Sequence, residues 1–244
     1  MRSVTGRLTI VIPVLDEAAI IAAALQTLGP LRARGAELIV VDGGSIDSTL
    51  ALARPFADLV IAGPRGRGAA MNAGAATGSG DAFLFLHADT TLPEDADRLI
   101  GAALSRRTSN PAWGRFDLRI AGRHPLLALV ARMINWRSRL TGIATGDQAI
   151  FLSRETFWSV GGFPDLPLME DVALSRKLKR LCRPICIAAP VVTSGRRWDD
   201  QGLWRTIMLM WRLRLAYYLG VEPARLALNY GRVPASAAQS GTGP

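Results

Sequence analysis

The chain has 244 residues, 49% of them hydrophobic, enough for one large α/β domain or two small ones with a substantial core. Its two cysteines, Cys182 and Cys186, flank a proline-containing turn, which argues for a reducing compartment and against a disulfide framework or a zinc site. The formal charge of +9 is uneven: residues 123–244 carry 17 basic and 8 acidic side chains while residues 1–122 balance, so the second half should face something anionic unless the arginines only reflect a GC-rich genome.

Met1 to Arg7 starts basic, but the apolar run that follows has no small-residue cleavage site, so no signal peptide is expected and the protein is placed in the cytoplasm or at the inner face of the membrane. Leu8 to Val14 is a β-branched run broken by Pro13, and Asp16-Glu17 opens a helix to about Leu28. Glu37 to Val41 is a second strand ending at Asp42-Gly43-Gly44-Ser45, and Asp58 to Ile61 a shorter third. Gly63-Pro64-Arg65-Gly66-Arg67-Gly68 leads into a small-residue helix from Ala69 to Ala76. Phe83 to Leu86 reads as a buried parallel strand that empties through His87-Ala88 into Asp89. Strand and helix alternate throughout this half, the pattern of a doubly wound, mostly parallel sheet of Rossmann type.

From Trp113 the pattern changes. Trp113 to Ala121 alternates enough for a strand, Pro125 to Arg139 forms a helix with Leu126, Leu129, Met133 and Trp136 on one stripe, and Gly146 to Leu152 reads as a strand. Glu170-Asp171 opens a helix with cations toward its end. Gly202 to Gly220 is the most apolar long segment, but Arg205, Arg212 and Arg214, at about 2.5–3.5 kcal/mol each near a bilayer centre, argue against spanning. Its stripe of Trp204, Met208, Trp211, Leu215 and Tyr218 fits core packing, a helix lying in a membrane surface, or a subunit contact. The expected organisation is one domain over 1–230 in two halves, to about 112 and from about 113, with a helical C-terminus and a disordered tail from 231 to 244.

Ligands of open α/β sheets sit beyond the carboxyl ends of the strands, where Glu17, Asp42 and Asp89 all lie. One such residue is a helix cap, and for Asp89 a cap on a helix opening at Thr90 is the plain alternative; three at one edge look like a site. Arg65 and Arg67, before a helix whose free N–H groups favour anions, suit a diphosphate. A metal-binding carboxylate, an arginine turn and a later acid fit displacement of a nucleoside diphosphate from a sugar. Asp171 would take the proton of the incoming hydroxyl, although Glu170-Asp171 also satisfies the helix dipole without any catalytic task.

These residues resemble family 2 glycosyltransferases of the GT-A fold. Val11-Ile12-Pro13-Val14-Leu15-Asp16-Glu17 is similar to the family's strand-Pro-x-x-Asn-Glu opening. Val41 to Thr49 is similar to its Asp-Asp-Gly-Ser segment, with Gly43 in place of the second Asp. Arg67 to Gly74 is similar to its Ala-x-Asn-x-Gly stretch, and His87-Ala88-Asp89 stands where an Asp-x-Asp metal motif belongs, a form found in a compact bacterial subgroup. The resemblance implies that Pro13, Val14, Glu17, Asp42, Arg67, Asn72, His87 and Ala88 contact the nucleotide sugar and that Asp89 ligates a divalent cation, Mg or Mn. It further implies that Asp171, beside Glu170, is the base of an inverting transfer, and that Gly146, Asp147, Gln148, Gly162, Arg197 and Trp198 line the acceptor side.

The partners implied are a nucleotide-diphosphate sugar and a hydroxyl acceptor, either a small molecule or a lipid such as a polyprenyl phosphate, with peripheral membrane contact through 202–220 suiting the latter. A sugar-phosphate nucleotidyltransferase should carry a Gly-rich, Arg-containing loop directly after the first strand, where Pro13 to Glu17 stand instead. A nucleic-acid binder would need aromatics among basic residues on a strand surface, whereas Trp204 and Trp211 fall on a helix, so no nucleic-acid partner is expected.

Overall fold

β1 (Leu8–Val14) forms where a β-branched run has both faces to bury, and all its residues but Pro13 are buried. The structure is a computed structural model that describes residues 6–106 and 111–230; the tail expected over 231–244 lies outside those residues. The remaining strands are β2 (Glu37–Asp42), β3 (Leu59–Ala62), β4 (Ala82–Phe85), β5 (Thr90–Thr91), β6 (Trp113–Ala121), β7 (Phe151–Ser153) and β8 (Ile185–Ser194). They form one sheet in the order β3-β2-β1-β4-β7-β6-β8-β5. The first four run parallel, with Val14 beside Asp42 and Asp42 beside Ala62, so their exit loops share one edge. β7 is antiparallel to β4 and β6, β8 is parallel to β6, and β5 is antiparallel to β8, which makes the sheet mixed but mostly parallel.

Alternation along the strands builds a core on each face of this sheet. Ile10, Ile12, Leu38, Val40 and Leu84 point to one side, where Ile21, Leu25 and Leu31 meet them. Val11, Ile39, Val41, Phe83 and Phe85 point to the other, under Ala70, Met71, Leu174 and Leu178. Each such side chain contributes about 1.5–3 kcal/mol on burial. The helix Arg67–Thr77 is rich in small residues because it lies hard on the sheet: a Cβ on Gly74 would come within 2.3 Å of Val11 and 2.9 Å of Val41.

Several expectations are corrected. The expected helix to Leu28 is Ile21–Thr27, which starts at Ile21 rather than at Asp16-Glu17, and a second helix that was not expected, Gly29–Ala33 with Pro30 in its first turn, follows it. No helix opens at Thr90: Thr90 and Thr91 pair with Thr193 and Val192, and the next helix, Ala96–Ser105, has Asp95 before it, so Asp89 is not its cap. The expected strand from Gly146 is a 3₁₀ turn, Gly146–Gln148, capped reciprocally by Thr145 and Gln148, and only Phe151–Ser153 is strand. β8 has no counterpart in the sequence reading. Its pairing slips between Phe116 and Asp117, so that Phe116 faces Ile187 and Asp117 faces Pro190, and a bulge at a proline masks the alternation that marks a strand.

The helix Leu127–Thr141 is fixed to β6 by Asn135, whose side chain accepts the Leu118 N–H at 2.8 Å and donates to its carbonyl at 2.9 Å. The fully buried Arg115 pairs with Asp117 and donates to the Asn135 carbonyl at 3.1 Å. The helix Leu203–Tyr218 packs through Leu203, Thr206 and Leu213, whereas Trp204, Met208, Trp211, Leu215 and Tyr218 are all exposed, which removes core packing as the reason for that stripe.

Candidate active site

The site grows from loops that leave the shared strand edge. After β1 the chain turns through Asp16 at positive φ, and the loop after β2 locks onto it. The Asp16 N–H donates to Ser45 Oγ at 2.9 Å, Ile46 N–H to Asp16 Oδ1 at 2.9 Å, Ala18 N–H to Asp47 Oδ2 at 3.1 Å, and Glu17 N–H to Thr49 Oγ1 at 2.8 Å. The Asp47 carboxyl is held below its ordinary pKa, first by the Thr49 hydroxyl. Asp42 is buried and spends its oxygens within this turn, accepting from the Gly44 and Ser45 N–H groups and the Ser45 hydroxyl.

Glu17 carries the electrostatic signature of a shared site. Its pKa is raised first by burial and then by Asp89, and lowered by Arg196 and Arg67. Glu17, Asp89, Arg67 and Arg196 therefore sit within electrostatic reach, although their positions span most of the chain. Arg196 was not anticipated as a site residue; it belongs to Gly195-Arg196-Arg197-Trp198, read only through Arg197 and Trp198. Gly66, at φ +117, turns the chain into the helix at Arg67 and leaves Arg65 and Arg67 exposed at its N-terminus.

A cleft opens beside this edge, lined by Met71, Phe85, His87, Gly146, Ile150, Phe163, Glu170 and Asp171. Asp171, on the first turn of the helix Glu170–Leu181, accepts the Gly146 N–H at 2.7 Å through Oδ2 and the Val172 N–H at 2.7 Å through Oδ1. Two backbone donors thus fix a half-buried carboxylate in place, while Glu170 is buried in the cleft wall. His87 passes so close to Gly146 that a Cβ there would lie 2.6 Å from its Nε2. Behind Asp171, Asp147 is pushed above its ordinary pKa by burial and by Asp171, and its Oδ1 is enclosed without a hydrogen-bond partner. Arg137 is lowered to about 10 by burial and by Arg214, and its Nε and Nη2 are likewise enclosed and unpartnered.

Other expected site residues are engaged in structure. Asn72 donates to the Phe163 carbonyl at 2.8 Å and accepts its N–H at 2.9 Å, and Gly162, at φ +63, sits against the same amide. Gln148 is buried and accepts the Thr145 N–H at 3.2 Å. Arg197 stacks 3.9 Å over Tyr230, and Trp198 packs against the core. Pro13, Val14 and Ala88 belong to or directly follow the strands and bring backbone to the edge.

Asp89 is exposed, its Oδ1 3.3 Å from the Thr90 hydroxyl, and among the described residues no three His, Cys, Asp or Glu side chains cluster as a metal cage. That donor set fits a hard cation of the Mg type, which takes one or two carboxylates and completes its shell with substrate phosphates and water.

Comparison with known proteins agrees with this architecture. The family model of Glycosyl transferase family 2 matches residues 9–151. A PGL/p-HBAD biosynthesis glycosyltransferase of Mycobacterium tuberculosis is 33% identical over 132 residues, 45% of this chain and 52% of that protein, so the chain spans about half the length of the curated relatives it matches. A mannosyltransferase from Pyrobaculum calidifontis, solved with GDP-Man and Mn2+, superposes with a TM-score of 0.62 at 21% identity, covering 98% of this chain and 76% of that one. Glucosyl-3-phosphoglycerate synthase from M. tuberculosis, solved with Mn2+, UDP and glucosyl-3-phosphoglycerate, gives 0.59 at 21% identity over 94% and 81%. At these identities the structures establish the α/β fold of GT-A glycosyltransferases, and the match over 9–151 establishes the lineage: the chain belongs to glycosyl transferase family 2.

Proposed function

We propose that the protein moves a sugar from a nucleotide-diphosphate sugar to a hydroxyl acceptor in a single inverting displacement, with Asp171 as the base. The observation that carries this reading is the cleft in which His87, two residues before Asp89, meets an Asp171 held by the Gly146 N–H at 2.7 Å. The acceptor oxygen bonds to the anomeric carbon as the bond from that carbon to the diphosphate breaks. The acceptor proton passes to Asp171, and the negative charge departs with the diphosphate. Arg65, Arg67 and Arg196 offer positive charge where that anion would lie. Asp89 is the residue to hold a Mg or Mn ion, whose chemistry there would be to neutralise the leaving diphosphate. Asp42 and Asp47 act by rigidifying the donor loop rather than by reaching the sugar.

Two observations bear on the acceptor. The cleft is narrow and partly apolar, with Met71, Phe85, Ile150 and Phe163 in its wall, which suits a simple alcohol. The exposed Trp204 to Tyr218 stripe favours instead an acceptor carried by a lipid at a membrane surface. The test is nucleoside diphosphate release from a panel of nucleotide sugars with Mn or Mg, offered a soluble alcohol or a polyprenyl phosphate, with the product anomer read by NMR. Release that needs acceptor and gives the inverted anomer is expected. A retained anomer, or release from no donor, contradicts the proposal.

A further inference from the structure

A helix of a soluble protein normally turns its apolar stripe inward, and two helices here do the reverse. On Leu127–Thr141 the buried side is Leu127, Ala131 and Ser138, while Leu126, Leu129, Met133, Trp136 and Leu140 recur at alternating spacings of three and four on the outward side and are all exposed. On Leu203–Tyr218 the buried side is Leu203, Thr206 and Leu213, and the stripe from Trp204 to Tyr218 repeats the same outward pattern. Trp136, Trp204 and Trp211 are 66%, 69% and 67% exposed, so most of each residue's surface is open to water. The two helices come near each other, since Arg137 on the first lies within electrostatic reach of Arg214 and Tyr218 on the second. Two such stripes exceed the scattered apolar residues of an ordinary surface.

The charges say what covers this face. Neither helix contains an Asp or Glu, and together they carry six arginines. Arg132, Arg205 and Arg212 are exposed beside the stripes and make no ion pair among the described residues. A second copy of the chain laid on this face by a two-fold axis would bring arginine against arginine. The sequence after Tyr230, Gly231 to Pro244, offers one valine and no aromatic residue with which to cover it. Among the described residues no helix is long and apolar enough to cross a bilayer. Tryptophans flanked by arginines on helices too charged to insert are suited to the headgroup region of an anionic leaflet.

We infer that the helices Leu127–Thr141 and Leu203–Tyr218 form one docking face that lies in the surface of an anionic lipid bilayer. The inference does not depend on the chemistry of the cleft, though the second of these helices borders it: Leu213 packs with Met169 and Val172 on either side of Glu170-Asp171. The test is sedimentation of the purified protein with phosphatidylcholine vesicles, with and without phosphatidylglycerol, read by pelleted protein rather than by activity. Partition onto the phosphatidylglycerol vesicles that weakens with salt is expected. The triple variant Arg132→Gln, Arg205→Gln, Arg212→Gln should bind on the order of fivefold less for each charge removed. Trp136→Ser with Trp204→Ser and Trp211→Ser should abolish binding while leaving the circular dichroism and melting temperature of the parent, because these indoles support no core. The inference is overturned if the parent stays in the supernatant at low salt, or if the arginine variant binds as the parent does. It is also overturned if the lipid-free parent is a dimer that the tryptophan variant turns into a monomer.

Discussion

Gly146 joins the two halves of the candidate site at the level of single atoms, since its N–H fixes Asp171 and its missing side chain makes room for His87. Gly146→Ala should therefore cost about 1–3 kcal/mol of stability, as overpacking does, and His87→Ala in the same chain should recover most of it; urea denaturation of the two variants and the parent checks this. Asp171→Asn keeps the size and one acceptor oxygen but cannot take a proton, so turnover should fall by about 10²–10⁴-fold while donor affinity stays within about twofold, as measured by steady-state kinetics and calorimetry. Asp147 gives a pH effect of definite sign. Its folded pKa lies above its ordinary value of 3.8, so its protonated form is favoured by folding, and this contribution is full below about pH 4 and lost as pH rises through the folded value. Asp147→Asn should raise the melting temperature at neutral pH and leave it little changed in acid. Asp89, Asp171 and Glu17 could be picked from the sequence because carboxylates at strand exits and helix starts are visible there. That Asp42 turns onto Ser45 and Asn72 onto Phe163 could not, because those partners are chosen by how loops fold back.

Elements were legible where they are driven by burial on both faces. β1, β2, β3 and β4 stand within a residue or two of the apolar runs that foretold them, as does the small-residue helix before β4. What escaped were elements set by their neighbours: β8 with its bulge at Pro190, the two-residue β5 that exists only against β8, and the 3₁₀ turn at Gly146. Periodicity also shows that a helix has an apolar face without showing where it points, which is why the stripe from Trp204 to Tyr218 fitted the core as readily as a surface. The helix Arg67–Thr77 yields the prediction at this scale. Asn72 is its polar link to the Gly161-Gly162-Phe163 turn, satisfying both backbone groups of a buried residue. Asn72→Ala should destabilise the fold by about 1–3 kcal/mol, seen as a lower urea midpoint at unchanged slope.

Across the whole molecule, one sheet edge gathers Glu17, Asp89, Arg67 and Arg196 while the neighbouring cleft presents Asp171, so groups far apart in the chain converge, as the proposed transfer would need. The excess positive charge of the second half divides accordingly, part of it inward, with Arg196 near Glu17 and Arg137 and Arg214 near Asp147, and part outward beside two apolar stripes. The most direct test of this convergence is thermal stabilisation by nucleoside diphosphates with and without Mn, on the parent, Asp89→Ala and Asp171→Asn. At 100 times its dissociation constant a ligand adds about 2.7 kcal/mol, a readily visible melting shift. The account predicts a Mn-dependent shift in the parent and in Asp171→Asn that disappears in Asp89→Ala. A shift of equal size in all three proteins, or none in the parent with any nucleotide, would contradict it.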